Sequence, residues 1–248
     1  METLPDILKK VGRLPMISHG ISGVVFALSE SHVIKKPLPG KSEKDQVDIE
    51  RRIYERLGSH PYITKYFGAR DGMIVLERLE YPLRKRLQDL RDDNKLPMAD
   101  DVVRWASQVT QAIQHVHSQG VMQVDIGAGN VLLNRYGTTK LSDFAGSSLD
   151  KSKPLIAPSA HSEHPNMPYT KPSIQSELFA VGSLLYEIET TKVPYADKND
   201  GELERLFKAD VYPDTTNLIL GEVITKCWMA QYQDASEVVV DIQNIQKN

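Results

Sequence analysis

Hydrophobic and polar positions keep two rhythms along this chain, and the change between them falls just after Leu76. From Ile17 to about Val75 the apolar runs are short and β-rich. Val24-Val25-Phe26-Ala27-Leu28 and His32-Val33-Ile34 flank the polar turn Ser29-Glu30-Ser31, which predicts two strands joined by a turn. A helix is expected over about Ser42 to Leu57, where i, i+3, i+4 and i+7 spacing sets Val47, Glu50, Tyr54 and Leu57 on one stripe. Gly58 followed by Pro61 stops it. Glu50 is thereby expected on the buried face, although it is a carboxylate. The strand Met73-Ile74-Val75-Leu76 completes a small sheet with one main helix.

Beyond that strand the pattern turns helical. Asp100 to Gln119 is strongly amphipathic, with Val102, Val103, Trp105, Ala106, Val109, Ile113 and Val116 inward, acidic residues in its first turn and Gly120 at its end. Two short β-runs, Val131-Leu132-Leu133 and Thr139-Lys140-Leu141, enclose the turn Asn134-Arg135-Tyr136-Gly137 and predict a hairpin. Residues 147–172 are rich in Ser, Pro and His without apolar periodicity, and a loop of that length inside a domain is usually functional or mobile. Helices are expected again at about Ser173 to Thr190, Gly201 to Lys208, Thr216 to Met229 and Ser236 to Lys247. The fold class is α+β.

Composition narrows the function by exclusion. The 248 residues are 40% hydrophobic and 25% charged, proportions of a soluble globular protein of one large domain or two small ones. No apolar stretch is long enough to span a membrane, and Met1 to Met16 lacks the succession of a secretory signal, so the chain reads as intracellular and cytoplasmic. The single cysteine, Cys227, allows neither an internal disulfide nor a thiolate metal cluster and is expected in the core. A formal net charge of -3 and no long basic run leave no footprint for a nucleic-acid backbone. The patch Arg84-Lys85-Arg86 reads as a solvated helix face.

Three polar residues carry the candidate chemistry. Asp125 and Asn130 stand in Gln123-Val124-Asp125-Ile126-Gly127-Ala128-Gly129-Asn130, and Asp143 stands in Leu141-Ser142-Asp143-Phe144-Ala145-Gly146 after the hairpin. An aspartate to take a hydroxyl proton, an asparagine five residues on and a second aspartate able to hold magnesium suit phosphoryl transfer from ATP. That reaction also needs cations around the phosphates. Lys35 and Lys36 alternate onto opposite strand faces, and a buried Glu50 needs a cation of its own.

The order of these segments resembles a eukaryotic protein kinase domain over about Pro15 to Gln246. The resemblance implies one bilobal domain over residues 1–248, with an N-lobe at about 12–77, a hinge at about 77–81 and a C-lobe at about 82–248. Ser18-His19-Gly20-Ile21-Ser22-Gly23-Val24-Val25 resembles the glycine-rich loop, in which Gly20 and Gly23 would let the backbone approach phosphates while Ile17 and Val25 meet the adenine. Val33-Ile34-Lys35-Lys36 resembles the strand whose lysine holds the phosphates and pairs with a helix glutamate. Lys35 is favoured because an apolar residue precedes it, and Glu50 would be its partner. Asp125 would orient or deprotonate the acceptor, and Asn130 and Asp143 would bind Mg2+. Adenine would pair with the backbone of Glu77 and Leu79, with Val33 and Leu132 on its faces and Leu76 as gatekeeper. The helix around Glu177 and the pair Cys227-Trp228 resemble scaffold features of the C-lobe. The compact form also resembles kinase-like proteins of filamentous fungi.

The chain departs from the family in places. Gln123 and Val124 replace the His-Arg before the aspartate, Gly127 the lysine after it, and Ala145 the glycine of Asp-Phe-Gly. Losing the lysine removes a cation near the transferred phosphoryl group. Two rivals to a protein kinase acting on serine or threonine therefore stay open: a catalytically silent, nucleotide-binding kinase fold, and a kinase of a small-molecule acceptor.

Overall fold

The computed structural model describes residues 11–247; residues 1–10, most of the stretch read above for a leader, and residue 248 lie outside it. A five-stranded antiparallel sheet forms first, from β1 (Met16–His19), β2 (Gly23–Ala27), β3 (His32–Pro37), β4 (Tyr66–Arg70) and β5 (Met73–Glu77), in the order β1-β2-β3-β5-β4. Its centre was legible, because β3 and β5 bury Val33, Ile34, Ile74 and Leu76. The edge strands β1 and β4 had not been read as strands. All four residues of β1 are exposed, and β4 holds Gly68 at φ 144 beside a register shift. An edge strand with little to bury carries little alternation to read.

Helix α1 (Lys41–Leu57) lies on this sheet and buries Val47, Glu50, Ile53, Tyr54 and Leu57. It ends at Gly58, whose φ of 63 favours glycine. The two-residue β6 (Tyr81–Pro82) leads into α2 (Leu83–Asp92), and then α3 (Ala99–Ser118) starts with Asp100 and Asp101 at its positive end. Strand β7 (Val121–Met122) precedes the Asp125 loop. The predicted hairpin forms as β8 (Val131–Leu133) and β9 (Thr139–Leu141), with β6 joined to β8. Within residues 147–172 only β10 (Ser148–Leu149) is regular, paired with β7.

The helical lobe is built around α4 (Ile174–Thr190), a helix that is apolar on nearly every side and buried accordingly. Ser173 caps it by accepting from Ser176 N–H. Around it lie α5 (Asp200–Lys208), α6 (Gly221–Trp228) and α7 (Ala235–Lys247); α7 packs on α3, and α6 on α4. Cys227 is a core residue, and burial raises its thiol pKa. The helix expected from Thr216 starts only at Gly221. The segment before it turns instead, because the buried Glu189 carboxylate accepts the N–H groups of Ile219 and Leu220 and so caps α6.

Helices α4 and α6 meet at Gly182. A Cβ added there would come within 2.8 Å of Cys227 Cβ and 3.2 Å of the Ile224 carbonyl oxygen. Gly182→Val should therefore force the helices apart and cost about 1–3 kcal/mol, read as a lowered urea midpoint; an unchanged midpoint would show that the contact is looser than drawn.

Candidate active site

The first cation comes from the sheet. Lys35 is buried on the face toward α1, while Lys36 points to solvent, as the alternation required. Lys35 Nζ stands 2.7 Å from Glu50 Oε2 and 2.8 Å from Asp143 Oδ1, so one ammonium ties the sheet, α1 and the loop after β9. Burial works against the Lys35 charge, but the two carboxylates overcome it and raise its pKa. Burial pushes Glu50 up to about 7 despite Lys35. Asp143 is also opposed by burial, yet Lys35 holds it below the usual carboxylate range. Phe144 is fully buried, with its ring set edge-on to Tyr54 of α1 at 5.1 Å, which seats the loop against that helix.

Asp125 is positioned by a carboxylate from α4. Glu177, 3% exposed, accepts the backbone N–H of Gln123 at 3.0 Å and of Val124 at 2.6 Å, together with His117 Nε2 at 2.9 Å. Val124 sits at φ 71, a costly conformation for a β-branched residue. Two hydrogen bonds to a buried charge hold it there. The Gln123 side chain donates to the carbonyls of Ser142 and Asp143, joining the two loops with a neutral group. Asn130 donates to both the backbone carbonyl and the carboxylate of Asp125, each at 2.8 Å. Asn130 and Asp143 line the same cavity. Burial raises the Asp125 pKa, while Asn130 and Arg84 oppose the rise.

Two cavities meet at Gly129 and Asn130. The larger, about 390 Å³, lies between sheet and helices and is lined by Ile17, Val25, Val33, Leu76, Leu79 and Leu132, with Lys35, Glu50, Glu77, Asn130 and Asp143 as its polar wall. Gly20 and Gly23 are not part of that wall. Gly20 N–H donates to the Gly23 carbonyl in the β1–β2 turn, and a Cβ on Gly23 would meet the Lys36 carbonyl oxygen at 2.5 Å, so β-pairing alone requires that glycine. The smaller cavity, about 110 Å³, holds Asp125 together with Ser159 and His161 of the long loop. Among the described residues no group of three His, Cys, Asp or Glu could hold a metal unaided. Asn130 and Asp143 bring two side chains with oxygen donors to the larger cavity, a set that would need phosphate or water oxygens to complete the shell of a magnesium ion.

Arg84 is the residue that sequence reasoning missed. The face that carries it is exposed, as the sequence predicts, and Arg84 in addition lines the Asp125 cavity and pairs with Glu187 of α4. The signal was available in Gly127 and Gly129, two bare positions that leave room for a side chain from elsewhere.

The protein kinase domain model matches residues 20–219. A protein of Clostridium acetobutylicum described as a probable serine/threonine-protein kinase is 24% identical over 94% of this chain and 39% of its own length. Serine/threonine-protein kinase 36 of Pongo abelii is 28% identical over 76% of this chain and 15% of its own length. Serine/threonine-protein kinase RUNKEL of Arabidopsis thaliana is 29% identical over 70% and 13%. The chain thus spans less than two fifths of these relatives.

Glu177→Ala should strand two buried N–H groups and release Val124, costing at least about 2 kcal/mol in urea unfolding; an unchanged unfolding free energy would mean the clamp carries no stability. For Glu50, a folded pKa of about 7 lies above the ordinary 4.5. The folded state therefore binds more protons between those values, and this carboxyl's contribution to stability falls as pH rises through them. Glu50→Gln should flatten the pH dependence of the urea midpoint between pH 4.5 and 7; an unaltered slope would place the titration elsewhere.

Proposed function

Because the chain belongs to the protein kinase domain family, matched over residues 20–219, we propose that it moves the γ-phosphoryl group of Mg-ATP to a hydroxyl of a protein, serine or threonine foremost. The observation that carries this reading is Lys35, held between Glu50 and Asp143 in a cavity that meets the Asp125 cavity at Asn130. Donor and acceptor sites thereby adjoin at one asparagine. The relatives named as serine/threonine kinases support the acceptor class.

Each residue then has a physical task. Ile17, Val25, Val33, Leu76 and Leu132 present apolar surface to an adenine ring, with Glu77 and Leu79 offering backbone groups to its edge. Lys35 neutralises phosphate oxygens while Glu50 keeps its ammonium in place. Asp143 and Asn130 hold Mg2+, which supplies charge neutralisation at the phosphates when bound. Asp125 orients the acceptor hydroxyl and takes its proton; its own bond from Asn130 sets the carboxylate's direction. Residues about 12–77 and 82–248 act as two lobes of one domain, hinged at 77–81. Among the described residues no helix is long and apolar enough to cross a membrane, and we place the protein in the cytoplasm.

The test is transfer of labelled phosphate from Mg-ATP to dephosphorylated casein, with nucleotide binding followed by thermal shift. Asp125→Ala should lower kcat by about a hundredfold or more and leave nucleotide binding intact. Asp143→Asn should weaken magnesium-dependent binding, and Lys35→Met should weaken binding in magnesium and in its absence. Stabilisation by Mg-ATP without transfer in the wild type would favour the binding-only kinase fold, and no nucleotide binding would overturn the reading.

A further inference from the structure

Gly127 leaves the Asp125 loop without a side chain on the wall of the smaller cavity, and phosphoryl transfer calls for positive charge around the moving group. The space is filled from α2. Arg84 N–H donates to the Ala128 carbonyl at 3.0 Å, which fixes the start of α2 to the loop. The guanidinium then lies along the loop: ideal Cβ positions on Gly127 and Gly129 would each stand 3.4 Å from an Arg84 Nη atom. Glu187, 5% exposed, anchors it from α4, accepting from Nε at 3.0 Å and from Nη2 at 3.3 Å. Those bonds occupy two of five N–H donors. The Arg84 side chain remains 53% exposed, and Arg84 and Asp125 line the same cavity. Among the described residues that line that cavity, Arg84 is the one lysine or arginine.

We propose that Arg84 is a catalytic residue of this site, the cation that contacts the phosphoryl group as it passes to the acceptor, supplied by α2 in place of a loop side chain at position 127. This rests on the phosphotransfer reading above. In the step, the bond from the γ-phosphorus to the ADP oxygen breaks, a bond to the acceptor oxygen forms, and the acceptor proton goes to Asp125. Negative charge spreads over the equatorial phosphoryl oxygens in the transition state, and the guanidinium N–H groups that Glu187 leaves free meet it without reorganisation, because Glu187 fixes the group in place. Glu187 is a positioning residue. A Cβ at Gly127 or Gly129 would only touch the guanidinium, so the two glycines leave the space that the Arg84 side chain occupies.

The discriminating experiment moves the charge. Gly127 has no left-handed φ, so a lysine can be placed there. Four proteins are compared in phosphate transfer from Mg-ATP to casein: wild type, Arg84→Ala, Arg84→Ala with Glu187→Gln, and Arg84→Ala with Gly127→Lys. Folding and nucleotide affinity are followed by thermal shift. Both variants lacking the cation should lose about a hundredfold in kcat with nucleotide affinity unchanged. The Glu187→Gln partner removes the stranded carboxylate, so that misfolding does not imitate loss of catalysis. The lysine at 127 should restore at least tenfold of the lost kcat. Retained kcat in either variant without the cation, or loss that Gly127→Lys leaves unrestored in a folded protein, overturns the assignment while the phosphotransfer reading stands. An inactive wild type overturns both.

Discussion

A lysine ammonium inside a protein survives only beside carboxylates, and Lys35 has two, one from each lobe. Glu50 belongs to the helix on the sheet and Asp143 to the loop after the β8–β9 hairpin, so their spacing depends on how the lobes close. Much else follows from that constraint. Phe144 packs on Tyr54 in the same layer, the large cavity opens in front of the ammonium, and Asp143 keeps its charge against burial. Glu50 is the weak member, since burial works to protonate its carboxyl against the pull of Lys35 and the backbone of Phe144.

The second support is less symmetrical. Glu177 spends its carboxylate on two backbone N–H groups and a histidine, and the return is a strained Val124 that carries Asp125 into the smaller cavity. Gln123 binds the two functional loops together through an uncharged amide, so this link has no titration of its own. Strain at a site is tolerable when the surroundings over-determine it. Here the surroundings are the buried α4, which carries Glu177, and His117 of α3, which bonds to the same carboxylate.

Departures from a familiar pattern make sense in space. Gly127 reads as a deletion of charge in one dimension, yet the guanidinium of Arg84, 43 residues earlier in the chain, lies against it. Gly23 shows the converse. It looks like a phosphate-loop glycine, but the carbonyl of Lys36 across the sheet already forbids a side chain there.

What could be read along the chain was whatever repeats locally. Two-fold alternation separated Lys35 from Lys36, and the helical stripe put Glu50 inward. The hairpin turn brought Asn130 near Asp143, and the amphipathic run from Asp100 announced α3. These follow from backbone geometry, which acts over a few residues. The exposed edge strands left little pattern, and the start of α6 depended on Glu189, some 30 residues away. Tertiary structure alone decided the meeting of Arg84 with Gly127 and Glu187, the hold of Glu177 on Val124 and the junction of the two cavities. Each joins side chains or backbone groups that only packing brings within hydrogen-bonding range, and no local periodicity encodes such a pairing.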